Sequence, residues 1–148
     1  PVFRADLSRP FPASGLDGKF SYEYVVAAAL VEPRVHIGTF TDEMRFSPQM
    51  EHALSLIRLR ANPDTPHDKM PPFATVFVRT RDGRELRERS DKYEGAIGRP
   101  MAPETHAAKL VDCFAEGGRA ASHDEVTSLI ADLENVEAFG SVMRLLAD

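Results

Sequence analysis

The sequence predicts an α+β protein: a small antiparallel sheet with two helices, followed by a helical tail of about three helices. Three observations predict it. Apolar residues recur at helical spacing between Ser21 and Val31 and again between Pro48 and Ile57. A β-branched and aromatic run, Phe73 to Thr80, is followed by a turn dipeptide and a return run. Beyond Pro100 the period is helical throughout.

Residues 1–17 hold Pro1, Pro10, Pro12 and Gly15 and are expected to be an extended lead-in. Ser21 is the N-cap of the first helix, with Phe20 and Val25 at the spacing of a hydrophobic staple. Glu23 lies in the first turn, where the helix dipole favours negative charge. Tyr24, Ala27, Ala28 and Val31 share one face, and consecutive alanines keep the helix thin. Pro33 ends it. Thr41 caps a turn opening with Asp42 and Glu43. Ser47 and Pro48 then start a second helix, whose apolar face is Met50, Ala53, Leu54 and Ile57.

Arg58 to Ala61 is expected as a short strand, and Asn62 to Pro72 as a proline-rich loop. Asp82-Gly83 signals a hairpin between Phe73–Thr80 and Glu85–Arg89, with Leu86 as the main inward residue. Gly95, Gly98 and Pro100 mark a linker. Ala107, Leu110, Val111 and Phe114 form a helical face ended by Gly117-Gly118. Ser122 and Glu125 have the spacing of a capping box ahead of Val126, Leu129, Ile130 and Leu133. Val136, Phe139, Met143 and Leu146 make a third face. The organisation expected is a lead-in over 1–17, an α+β unit over 18–90, a linker over 91–100 and a helical segment over 101–148.

A net charge of −5 argues against nucleic acid or an anionic membrane as the main partner. The longest apolar run, Val25 to Val31, is too short to span a bilayer. One cysteine precludes an internal disulfide and points to a reducing compartment, the cytoplasm. The first residue is Pro1, not methionine, so a processed or truncated piece of something longer is expected.

No complete catalytic constellation stands in the residues alone. His36, His52, His67, His106 and His123 have no zinc-ligand spacing, so no metal is expected. Cys113, near a helix C-terminus, reads as a small hydrophobe. Arg79, Arg81, Arg84, Arg87 and Arg89 crowd the hairpin, but Asp82, Glu85 and Glu88 are interleaved, as on a solvated edge. Tyr24 has two readings: a core tyrosine whose hydroxyl finds a carbonyl, or a hydroxyl placed in a cleft at the helix mouth.

Three segments in order carry a resemblance. Gly18 to Leu30, GKFSYEYVVAAAL, resembles the K-F-S-x-x-Y-x-x-A-x-A-L block of the MmgE/PrpD family. Val35 and then Phe40-Thr41-Asp42 resemble that family's next element. Gly98-Arg99-Pro100-Met101 through Lys109-Leu110-Val111-Asp112-Cys113 is similar to its N-P-M/L-S…K-F-R-D-C-A stretch, and Leu133-Glu134-Asn135-Val136 to its closing helix. Arg99, Ala102 and Leu110 depart from the pattern, and Ala102 replaces the usual helix cap.

The resemblance implies the C-terminal part of a dehydratase, decarboxylase or epimerase. Its substrate would be a small di- or tricarboxylic acid such as 2-methylcitrate, handled without a cofactor. It implies that 18–90 is a partial lid-type domain and 101–148 part of an all-helical domain. The N-terminal helical domain of the same protein would be a partner, as would a second copy in a homodimer. On this resemblance Tyr24 is the catalytic residue, with Lys19 and Ser21 as substrate-binding residues. The alternative is a stand-alone, non-catalytic carboxylate-binding or dimerisation module.

Overall fold

Serines open the first helices of the chain, seen in a computed structural model that describes residues 7–60 and 74–147. Ser14 caps α1 (Gly15–Gly18), a single turn inside the segment expected to be extended throughout. Its hydroxyl accepts from the Asp17 N–H at 3.0 Å. Ser21 caps α2 (Tyr22–Val31), and Thr41 caps α3 (Asp42–Arg45). Ser47, with Pro48 at the first helical position, caps α4 (Pro48–Leu56).

The core sits where α2 crosses α4. Tyr24, Ala27 and Ala28 of α2 pack with Met50, Ala53 and Leu54 of α4, and Val31, Phe40, Met44 and Ile57 close over them. Alanines on both helices allow the close backbone approach that the α2 sequence suggests. Ala29 and Leu30 lie outside this contact and are exposed. Phe20 and Val25, the expected staple pair, are exposed as well.

After α4 the chain runs without regular structure over Arg58–Arg60, so the expected strand is absent there. Ala61, the proline-rich segment Asn62–Pro72 and Phe73 lie outside the described residues. β1 (Ala74–Arg79) pairs antiparallel with β2 (Glu85–Ser90), Phe77 opposite Arg87 and Val78 opposite Leu86. Gly83, at φ +85°, makes the turn in a conformation side chains disfavour. Every residue of β2 is exposed, Leu86 included at 52%. Among the described residues the sheet is these two strands alone, and Leu86 faces solvent.

Beyond the loop lie α5 (Pro103–Glu116), α6 (His123–Ala131) and α7 (Gly140–Ala147). Gly117 and Gly118 end α5, as expected. The Ser122 capping box does not form. Ser122 closes the 3-10 turn Ala120–Ser122 with helical backbone angles and makes no side-chain cap bond. Val136 and Phe139 precede α7, because a 3-10 turn at Leu133–Asn135 interrupts the expected face. Only Val126 and Val142 are buried hydrophobics in these three helices.

Candidate functional site

The mouth of α2 gathers the three residues singled out from the sequence and gives each a different surrounding. Ser21 is 2% exposed; its Oγ accepts from the Tyr24 N–H at 3.0 Å and donates to the Arg9 carbonyl at 2.7 Å. The hydroxyl's one donor and one of its two acceptor sites are thus spent on backbone. Glu23, beside it and 3% exposed, accepts from the Ser8 hydroxyl at 2.8 Å and the Arg9 N–H at 3.1 Å. The lead-in therefore lies across the helix mouth, held by a carboxylate placed where the dipole favours it.

Tyr24, one turn further in, has no exposed surface. Its ring lies 5.9 Å from that of Phe40. A Cβ on Gly18 would stand 2.8 Å from the Tyr24 ring, so only glycine lets α1 approach this closely. The phenol donates to the Thr39 carbonyl at 2.7 Å. Of the two readings of Tyr24, the geometry is that of a core tyrosine, and its hydroxyl does not open onto a cleft. Burial pushes the phenol pKa up; Arg45 acts against this and Glu32 with it. Lys19 is exposed, with Nζ 5.7 Å from the Phe40 ring centroid.

Around Thr39 the chain builds a polar junction that the sequence did not announce. His36 caps the 3-10 turn Ile37–Phe40: its Nδ1 accepts from the Gly38 N–H at 3.2 Å. The Thr39 hydroxyl accepts from the His36 N–H at 3.0 Å and donates to Glu32 Oε2 at 2.5 Å. Arg34 reaches α5 and forks onto Asp112, Nη1 to Oδ2 at 2.6 Å and Nη2 to Oδ1 at 2.7 Å. That hydrogen bond holds the Asp112 carboxyl below its usual range; partial desolvation opposes it, and the charges of Arg34 and His36 add to it.

Arg45 is a buried charge that the sequence analysis did not single out. At 4% exposure, its Nε donates to the Pro12 carbonyl at 2.5 Å and its Nη1 pairs with Glu51. Its guanidinium also sits 4.8 Å from the Phe46 ring centroid. Together with the Gly15 N–H bond to Asp42 at 2.7 Å, this fastens residues 12–15 to α3. A first-turn glutamate and a last-turn arginine give only a faint sequence signal. For Arg34 and Asp112, 78 residues apart, there is none.

Among the described residues, no group of three or more His, Cys, Asp or Glu could hold a metal ion. Cys113 is a free, exposed thiol, and His52 and His106 are exposed. His67 lies outside the described residues. No described helix is long and apolar enough to cross a membrane.

Residues 2–135 match the family described as the MmgE/PrpD C-terminal domain. Two curated proteins are similar over most of the chain. Cis-aconitate decarboxylase from Mus musculus is 28% identical over 131 residues, 88% of this chain and 26% of that protein. Cis-aconitate decarboxylase from Homo sapiens is 29% identical over 135 residues, 88% of this chain and 27% of that protein. The chain thus spans about a quarter of the length of these relatives.

Proposed function

The chain belongs to the MmgE/PrpD family, and from that premise we propose that it is the C-terminal portion of a lyase acting on a small di- or tricarboxylic acid. The observation that carries this is the match of residues 2–135 to the family's C-terminal domain. The decarboxylase names of two relatives support the reaction class. Removing carbon dioxide or water beside a carboxylate requires a base, an acid and donors for the carboxylates. The mouth of α2 offers no convergent set of this kind, since Ser21, Glu23 and Tyr24 are bonded to the chain itself. The acid–base groups then come from a helical segment of the same protein outside this sequence, and the reaction needs no metal or organic cofactor.

Within this proposal Lys19 is the residue that meets a substrate carboxylate, being the exposed cation at the mouth of α2. Ser21 holds that mouth in shape. Tyr24 donates to substrate only if the Ile37–Phe40 turn withdraws from its hydroxyl; otherwise it is a wall residue. The complete protein acts as a homodimer.

The test is turnover of cis-aconitate and 2-methylcitrate by the complete polypeptide carrying this sequence, after dialysis against a chelator. Turnover of one acid is expected, with none from the 148-residue chain alone. Lys19→Ala should raise KM with little change in kcat. Inactivity of the complete polypeptide on these and related acids would defeat the reading. Turnover by this chain alone would defeat the assignment of the acid–base groups.

A further inference from the structure

We propose that the loop following β2 is an anion-binding groove, walled by Lys92 and Arg99, that takes a small di- or tricarboxylate; the choice of ligand class rests on the lyase reading above. The loop is firmly built. The Gly95 N–H donates to the Arg99 carbonyl at 2.8 Å, and the Arg99 N–H to the Ala96 carbonyl at 2.8 Å. The Glu94 carboxylate accepts from the Ala102 N–H at 2.8 Å and ties the loop to the start of α5. These bonds border an open groove of ≈ 570 Å³ beside β2, whose lining residues are all exposed.

Lys92 and Arg99 differ from the ion-paired arginines of the hairpin. Arg79 pairs with Glu85 at 2.8 Å, Arg84 with Asp82 at 2.8 Å and Arg89, which also lines the groove, with Asp91 at 2.7 Å. Arg99 and Lys92 are held by neutral acceptors instead. Arg99 Nη1 donates to the Lys92 carbonyl and, at 3.3 Å, to Ser90 Oγ. Lys92 Nζ donates to the Ile97 carbonyl at 3.3 Å. Among the described residues, neither head forms an ion pair. A carbonyl orients a cation without cancelling its charge, and each head keeps donors for a carboxylate.

Two of the lining residues are acidic. Asp91 is engaged by Arg89, which leaves Glu88 as the carboxylate that competes with a ligand. Two separate cationic heads favour a ligand with more than one carboxylate over a monoacid. In a chain of net charge −5, locally uncancelled positive charge is where such an anion would settle.

The experiment is hydrogen-exchange mass spectrometry on the complete polypeptide, with tricarballylate as probe, on wild type and the double variant Lys92→Gln/Arg99→Gln. At twice its Kd the probe should slow exchange of the peptide covering residues 91–100 about threefold. The double variant should lose that protection while its exchange without ligand stays as in wild type over α2 and α4. Unchanged exchange in this loop, or equal protection in the double variant, would overturn the proposal. Equal protection by inorganic phosphate at matched ionic strength would overturn the polycarboxylate preference. Turnover is read separately, so an active enzyme with an unresponsive loop sinks the groove alone. An inactive enzyme with a responsive loop sinks only the lyase reading.

Discussion

Tyr24 shows how much one residue can carry and how little of that is written beside it. Its place on the buried face of α2 follows from helical spacing to Ala27, Ala28 and Val31. Its hydroxyl partner, the Thr39 carbonyl, is set by a turn that returns fifteen residues later. Tyr24→Phe leaves that buried carbonyl without this donor and should cost about 1–2 kcal/mol in urea denaturation. If the phenol also serves the reaction, kcat of the complete polypeptide falls as well; an unchanged kcat removes Tyr24 from the chemistry. Asp112 gives a pH test. Its folded pKa lies below the unfolded value, so its contribution is complete above the ordinary carboxylate range, about 3.9. That contribution is lost as pH falls through the lower, folded value. Asp112→Asn should therefore flatten the acid limb of stability against pH, with little change in the shape near neutrality. An acid limb identical to wild type would show that the Arg34 fork does not persist in solution.

Helix starts were the most legible elements, because a capping hydroxyl acts within its own turn. Ser21, Thr41 and Ser47 each accept an N–H three residues on, as their positions indicate. Ser122 has the right spacing and fails, since the preceding 3-10 turn already sets its backbone in the helical region. Ala102, at the N-cap of α5, gives no side-chain cap, the consequence expected from its departure from the family pattern. Ala102→Ser should raise stability by about 0.5–1 kcal/mol, and Ser47→Ala should lower it by about 1 kcal/mol. Thermal midpoints moving in opposite directions would bear this out; a neutral Ala102→Ser would mean that α5 frays at its start regardless of cap. The hairpin was equally legible, through Asp82-Gly83, although which side of it would be covered was not. Alternation presupposes a face to bury, and β2 has none.

For the molecule as a whole, the surface is the informative quantity. Phe77, Tyr93, Ile97 and Phe139 are exposed at 72%, 78%, 98% and 55%, and only Val126 and Val142 are buried hydrophobics in the helical tail. That much bare apolar surface favours association. The isolated chain should therefore bind a hydrophobic dye and show a concentration-dependent mass in sedimentation. The complete polypeptide should show markedly less dye binding per chain. A strictly monomeric, dye-silent chain would contradict this.

Local physics was enough to determine from sequence where α2, α3 and α4 begin, which face of α2 is buried and where the hairpin turns. Those features depend on residues within a few positions of one another. Tertiary structure alone decided that Glu23 pins the lead-in across the α2 mouth, that Tyr24 spends its hydroxyl on Thr39, and that Arg34 grips Asp112. Each of these is a hydrogen bond between groups far apart in the chain. Its partner is chosen by which backbone the core brings near, and no local period encodes that.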